Sequence, residues 1–127
     1  MYKNIVVAVD LSHGEAGKAL LARAAGLVDE GGVIRVLNVL EDVPAYIAAE
    51  LPIDVHQRRT AEAKVELGVL VKDSGIDAVA DVRQGAAASQ ILGYAEDTNA
   101  DLIMIASHRP GLSDYFIGST AARVVRH

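Results

Sequence analysis

The chain has 127 residues and a formal net charge of −5, and 51% of its residues are hydrophobic although few are aromatic. This length suits one domain with its own core, and the aliphatic composition favours helices layered on a Val/Ile-rich parallel sheet. The acidic balance, without a Lys/Arg-rich arm, argues against a nucleic-acid-binding surface. The absence of cysteine excludes a disulfide framework and any thiolate nucleophile or thiolate metal site.

Targeting and metal-binding patterns are also missing from the sequence. No apolar run approaches the roughly 20 residues that a membrane helix needs, and the N-terminus lacks a signal-peptide pattern. The four histidines are scattered, without the spacing that holds zinc. We therefore predict a cytoplasmic protein with a single domain over residues 1–127, no membrane span and no metal site formed by the protein.

The first half of the chain predicts two strands separated by a helix. Tyr2–Asp10 is a strand that is apolar through Val9 and ends on an acid, a position where open α/β sheets place ligand-contacting groups. Alanine and leucine recur at helical spacing over Glu15–Glu30, and Gly31-Gly32 ends that helix. Val33–Leu40 is the second strand.

The middle of the chain begins with Glu41–Pro52, an acidic segment with two prolines that we interpret as a flexible crossover or a lid. Asp54 is then expected to cap a long helix that runs to about Lys72, before Gly75 stops it.

One further strand, a helix and a buried strand follow. Ile76–Val82 predicts a short third strand, and a helix is expected from Ala86 to about Thr98. Leu102–Ile105 is a fully apolar run of the kind that forms a strand buried on both faces. The regular alternation of strands and helices predicts a parallel sheet with right-handed crossovers.

The last quarter carries the pattern of an anion site. After the fourth strand, small residues, Pro110 and Gly111 force a loop, and Gly118-Ser119-Thr120 then leads into AARVVRH, for which we predict a helix. Free N–H groups and the positive end of the helix dipole bind anions at such a helix start. The alternative is that Ser119 or Thr120 is simply an N-cap residue.

Several segments together resemble one known family. They are VAVD near the N-terminus, VLNVLEDVP at the second strand, and the block ADLIMIASHRPGLSDYFIGSTAARVVRH. With the order of elements, they resemble the universal stress protein family over essentially the whole chain. The likeness is to a nucleotide-binding branch with an S-H-R-P loop. ATP-binding members generally read G-x-x-G, nine residues, then G-S or G-T. Here Ala106 and Arg109 stand at the two loop glycines, and the spacing to Gly118 is one residue shorter.

The resemblance implies a Rossmann-like α/β fold, with an open parallel sheet in the strand order 3-2-1-4-5 and helices on its faces. It also implies a nucleotide site at the carboxyl ends of strands 1 and 4, where the chain direction around the sheet reverses. The implied site residues are Asp10, Val39, Leu40, Ile105, Ala106, His108, Arg109, Gly111, Gly118, Ser119 and Thr120.

Each implied role has a plain alternative. Asp10 would accept hydrogen bonds from the ribose or the adenine, or it would instead bond the amides of its own turn. Val39 would offer backbone groups to the adenine edge, with Leu40 packed nearby, or these side chains would simply pack in the core. Arg109 would bind phosphate oxygens or remain solvated, and His108 would hydrogen-bond the triphosphate or fasten the loop. Gly118, Ser119 and Thr120 would form the phosphate cradle.

The function implied by the resemblance is that of an ATP-binding regulator in a stress response. It would act through oligomerisation or a protein partner, with ADP and AMP as alternative ligands and Mg²⁺ carried by the phosphates. A slow ATPase or an autophosphorylating enzyme is one rival, although the sequence contains no evident base and no Walker pattern. An interaction module without nucleotide is the other rival, since the G-x-x-G loop is missing.

The end of the sequence leads to one more expectation. The family pattern continues past His127 into a Val-rich fifth strand, so we expect that strand to be missing from this chain. Strand 4 would then be a bare edge despite its apolar composition. Because the family often pairs its last strand across a two-fold axis, we expect the complete protein to be a homodimer or a higher oligomer.

Overall fold

The computed structural model describes residues 2–41, 50, 53–105, 115–118 and 123–126. Its elements are, in chain order, β1 (Tyr2–Ala8), a 3₁₀ turn (Leu11–His13), α1 (Gly14–Leu27), β2 (Val28–Leu40), α2 (Ile53–Ser74), β3 (Val79–Gln84), α3 (Ala87–Asp97), β4 (Leu102–Ile105), β5 (Tyr115–Gly118) and β6 (Arg123–Arg126).

The strands form one sheet in the order β3-β2-β1-β4-β5-β6. β1 to β4 are parallel, with Ile5–Ala8 of β1 level with Leu102–Ile105 of β4 on one side. On the other side the same segment of β1 is level with Ile34–Leu37 of β2. The predicted α/β class and the order 3-2-1-4 are therefore confirmed. β1 and β4 lie centrally because their apolar runs are buried on both faces.

The predictions for the sheet beyond β4 are wrong. We expected a bare β4 and a helix over residues 121–127, but β5 pairs antiparallel with β4, and β6 pairs antiparallel with β5. The paired valines within Arg123–Arg126 have high strand propensity, and a hairpin supplies hydrogen-bond partners to the second edge of β4. Pairing thus outweighs the helical character of this short segment.

β2 begins earlier than predicted, at Val28 rather than Val33, and α1 ends at Leu27 rather than Glu30. The reason is an irregularity in the pairing of β2 with β1. Tyr2 is level with Val28 but Asn4 is level with Val33, so β2 has more residues than β1 between these two pairs. The glycine pair sits in this irregular stretch and does not cap the helix. A Cβ on Gly32 would lie 2.9 Å from the backbone oxygen of Lys3, so the two strands approach closely there.

β3 begins later than predicted, at Val79 rather than Ile76. The chain first reverses at Gly75, whose φ of 72° favours glycine. The hydroxyl of Ser74 then accepts a hydrogen bond of 3.1 Å from the N–H of Ile76. Pairing with β2 starts only where Val79 comes level with Arg35.

The core has two layers, one on each face of the sheet. One layer packs α1 and α2 against the sheet and is centred on Val7, Leu20, Leu21, Val36 and Leu67. The other packs α3 against the opposite face and includes Val6, Leu37, Ile91, Tyr94 and Ile103. Within the described ranges, no helix combines the length and the apolarity that crossing a bilayer requires.

Candidate functional site

The carboxyl ends of β1, β2 and β4 meet at one edge of the sheet. β1 pairs with β2 on one side and with β4 on the other, so the chain direction around the sheet reverses between β1 and β4. Open α/β sheets bind ligands in the crevice outside the strand ends at such a point. A ligand site is therefore expected among the residues that follow Ala8 and those near Leu40 and Ile105.

A cleft of about 410 Å³ opens at this place, and we call it the first cleft. It brings together Asp10, Val39 and Ile105, three of the residues predicted from the sequence. Ala87 and Ile91 of α3 form part of its wall. Its lining consists of Ala8, Val9, Asp10, Leu37, Asn38, Val39, Glu41, Ala87, Ile91 and Ile105.

Asp10 stands at the end of β1 and makes the local bonds named as the alternative to ligand binding. Its Oδ1 accepts hydrogen bonds from the N–H of Ser12 at 2.9 Å and from the Ser12 hydroxyl at 2.6 Å. His13 Nδ1 lies 3.6 Å from Oδ2. The turn role is confirmed, and it holds the carboxylate at the cleft. Ligand binding by Asp10 stays a prediction.

The backbone N–H and C=O of Val39 lie on the side of β2 that faces β1, just beyond the last paired residue of β1. Successive residues of a strand turn these groups to opposite sides. The N–H of Val9 donates to the carbonyl of Leu37 at 2.9 Å, and the N–H of Gly85 after β3 donates to the carbonyl of Leu40 at 2.9 Å. Leu37 thus faces β1 and Leu40 faces β3. Val39 faces the same side as Leu37, one rung beyond the last paired residues of β1.

Asn38 was missed by the sequence reasoning. It is a polar residue within the apolar run VLNVL, and its side chain is only 6% exposed. Its Nδ2 donates a hydrogen bond of 2.9 Å to the carbonyl of Val9. Its Oδ1 is buried and has no hydrogen-bond partner among the described residues. A single asparagine inside the otherwise apolar run VLNVL was the available signal, because buried polar groups need partners.

A second cleft, of about 330 Å³, contains Leu40. Alternation along β2 puts Leu40 on the opposite face of the sheet from Val39, so the two predicted neighbours contribute side chains to different layers. The second cleft shares Asp10, Asn38, Val39 and Glu41 with the first. Its remaining lining is Leu11, Arg59, Glu62, Ala63 and Glu66.

Most of the other predicted site residues fall in parts of the chain that the structure does not describe. Ala106, His108, Arg109, Gly111, Ser119 and Thr120 lie outside the described residues. Gly118 ends β5, where antiparallel pairing sets Ile117 opposite Ile103 and Tyr115 opposite Ile105. Gly118 is therefore level with the start of β4, roughly 10 Å along the strand from Ile105. The described backbone does not bring Gly118 to the carboxyl end of β4.

The titratable groups of the described region do not assemble a metal centre. No group of three or more His, Asp or Glu side chains in the described ranges is placed to hold a metal ion. The carboxylates of the second cleft are accompanied by Arg59. The first cleft thus offers backbone donors and acceptors, the two carboxylates of Asp10 and Glu41, and apolar walls, which suit an organic ligand more than a bare cation.

Comparison with known proteins adds an independent result. The family model of the universal stress protein family matches residues 1–127. Universal stress protein G of Escherichia coli O157:H7 is 30% identical over 133 residues, covering 100% of this chain and 94% of its own length. Universal stress protein MJ0531 of Methanocaldococcus jannaschii is 29% identical over 132 residues, covering 100% of this chain and 78% of its own length.

Solved structures share the fold. The hypothetical protein MJ0577 matches with a TM-score of 0.64 at 22% identity, covering 81% of this chain and 73% of that chain. The universal stress protein UspA of Lactobacillus plantarum matches with a TM-score of 0.56 at 21% identity, covering 87% and 82%. With a family match over its full length and a sheet of the same architecture, the chain belongs to the universal stress protein family.

Proposed function

We propose that the first cleft binds an adenine nucleotide, ATP in particular, and that the protein acts as a nucleotide-dependent regulator in a stress response. The observation that carries the proposal is the direction of the Val39 backbone groups, which point past the end of β1 at the switch point of the sheet. The family membership and the position of the cleft support the same proposal.

The Val39 backbone suits the edge of adenine. The N–H and the C=O of one strand residue lie on the same side, so they present one donor and one acceptor together. Adenine offers a ring-nitrogen acceptor next to its amino donor, which matches that pair. Guanine carries a carbonyl oxygen in place of the amino group, together with a ring N–H, so its donor and acceptor are reversed. Adenine should therefore be preferred over guanine.

The cleft has a suitable size and lining for a nucleoside. Its volume of about 410 Å³ falls within the roughly 300–1,000 Å³ of ordinary ligand pockets. Ile91 and Ile105 provide apolar surface that would pack against the faces of the base. Asp10 would accept hydrogen bonds from ribose hydroxyls through its carboxylate, since its turn holds it at the mouth of the cleft.

The phosphates would extend towards the segment that follows β4. The residues predicted for them, including Arg109, Ser119 and Thr120, lie outside the described residues. Any Mg²⁺ would be carried mainly by the phosphates themselves. The double change Ser119→Ala with Thr120→Ala tests this part, because it should weaken ATP more than adenosine if these hydroxyls bind phosphate.

Direct binding measurements test the proposal. Calorimetry with ATP, adenosine and GTP should give micromolar affinity for ATP and a clear preference for ATP over GTP. Ala87→Trp should abolish binding by filling the first cleft from α3. Ala88→Trp is the matched control, because Ala88 is the next residue of α3, is exposed and does not line the cleft. No heat and no thermal shift at millimolar ATP would contradict the proposal.

The same protein preparation separates the rival functions. Release of adenine nucleotide on denaturation would support the binding role over the nucleotide-free interaction module. A steady-state hydrolysis rate in the ordinary enzyme range of ~1–10³ per second would favour the ATPase instead. Light scattering with and without ATP tests regulation through self-association, for which a change in mass on nucleotide binding is expected.

A further inference from the structure

Asn38 occupies the point where pairing between β1 and β2 stops. The regular register ends with Ala8 level with Leu37, and the N–H of Val9 still donates to the carbonyl of Leu37 at 2.9 Å. In a parallel ladder the following rung would join the N–H of Val39 to the carbonyl of Val9. That carbonyl accepts a hydrogen bond of 2.9 Å from Nδ2 of Asn38.

We propose that Asn38 is a positioning residue for the nucleotide. Its side-chain amide takes the place of the next ladder rung at Val9 and so keeps the N–H of Val39 available to the ligand. Asn38 would act through Val39 and need not touch the base itself. This inference rests on the proposed function, because it deepens the account of the same cleft.

The energetic cost of Asn38 favours this role over a purely structural one. Its Oδ1 is buried without a hydrogen-bond partner among the described residues, and a buried unsatisfied acceptor destabilises a fold. Leucine has a similar volume and would fill the same place without such an acceptor. If stability alone mattered, backbone pairing between Val39 and Val9 with an apolar residue at 38 would serve better.

The expected behaviour of Asn38→Leu follows. The carbonyl of Val9 loses its side-chain donor and pairs with the N–H of Val39, so the ladder extends by one rung. The melting temperature should stay the same or rise. The affinity for ATP should fall roughly tenfold, because the base loses a backbone donor. Adenosine should lose affinity by the same factor, since the lost contact is to the base and not to the phosphates.

Two further variants separate the positioning role of residue 38 from an effect on the stability of the fold. Asn38→Asp has nearly the same shape but lacks the donor when ionised, so it should also weaken ATP. Val36→Ala is the matched control, because Val36 lies two residues earlier on β2, faces the same layer and is fully buried. It should lower the melting temperature while leaving ATP affinity unchanged.

Amide hydrogen exchange of Val39 tests the inference independently of the proposed function. In the unliganded wild type this amide should exchange much faster than that of Leu37, and Asn38→Leu should slow it at least tenfold. Equal exchange rates for the Val39 and Leu37 amides of the wild type would overturn the inference. It would also be overturned if Asn38→Leu left the exchange of the Val39 amide unchanged, bound ATP with wild-type affinity or failed to fold. If the wild type binds no ATP, the proposed function fails, and the exchange data still decide whether Asn38 ends the ladder.

Discussion

The hydroxyl of Tyr94 donates a hydrogen bond of 2.5 Å to Oδ2 of Asp81, and this bond ties α3 to β3. The guanidinium of Arg83 lies 4.8 Å from the centre of the Tyr94 ring and pairs with Asp97 at 3.0 Å. Burial, followed by the bond to Asp81, raises the pKa of Tyr94 to about 12. The helix that forms one wall of the first cleft is thus anchored by a phenol that resists ionisation.

Tyr94→Phe should reduce the free energy of unfolding by about 1–2 kcal/mol, because it removes the donor to Asp81. Urea denaturation at pH 7 measures this loss. Leu92→Ala, on the same helix but 53% exposed, is the control and should change the free energy of unfolding much less. A Phe variant as stable as the wild type would show that the bond contributes no net stability.

The stability that the Tyr94 phenol confers decreases at high pH. The folded pKa of Tyr94 lies above its ordinary value of 10.0, so the folded state favours the protonated phenol. The stability that this preference adds is fully present below about pH 10 and is lost as the pH rises towards 12. The free energy of unfolding, measured from denaturation curves between pH 9 and about pH 12, should fall more steeply with pH for the wild type than for Tyr94→Phe.

Asp101→Ala should destabilise the start of the sheet. The carboxylate of Asp101 accepts hydrogen bonds from the backbone N–H groups of Lys3 at 2.8 Å and Asn4 at 3.0 Å, which fasten the first residues of β1 beside β4. We expect a loss of about 1–3 kcal/mol, because both bonds involve a charged acceptor but are partly exposed. Chemical denaturation measures it, and Asp77→Ala at an exposed position is the control.

Two glycine substitutions should act in opposite directions. A Cβ on Gly32 would meet the backbone oxygens of Asp29 and Lys3 at 2.9 Å, so Gly32→Ala should destabilise the β1–β2 contact. A Cβ on Gly26 in α1 would meet nothing within 4 Å, so Gly26→Ala should stabilise the helix by roughly 0.5–1 kcal/mol. Thermal denaturation of both variants checks the pair, and a stabilising Gly32→Ala would show that the strands separate easily.

Asp10→Ala should weaken ATP and adenosine by the same factor, roughly tenfold or more, if its carboxylate bonds the ribose. Calorimetry on both ligands measures the two factors. Ser12→Ala removes only the hydroxyl that donates to Oδ1 and should have a smaller effect. An unchanged affinity in Asp10→Ala would leave Asp10 with its turn role alone.

Patterns that depend on composition could be predicted from the sequence. The apolar runs of β1 and β4 identified two central strands, and the end of the first strand pointed to Asp10, which lines the first cleft. The strand predictions succeed because a strand buried on both faces must be apolar throughout, and Asp10 reaches the cleft because a parallel sheet collects its carboxyl ends at one edge. Ligand binding by Asp10 and Val39 stays a prediction.

Features that depend on pairing could not be predicted in this way. The residues between Val28 and Val33 contain a glycine pair that is typical of a helix end, yet their partner in β1 draws them into the sheet. The short segment Arg123–Arg126 is compatible with either helix or strand, and only its antiparallel neighbour decides. The hydrogen bond from Asn38 to the carbonyl of Val9 likewise depends on the exact rung at which β1 ends.

The position of β1 between β2 and β4 has a consequence during synthesis. β1 and β2 are complete once Leu40 has been made, but β4 ends only at Ile105. At a translation rate of about 5–20 residues per second, the edge of β1 that pairs with β4 stays unpaired for several seconds. Until then the newly made chain presents an unpaired apolar strand, which is the stage at which a chaperone could bind or nascent chains could associate.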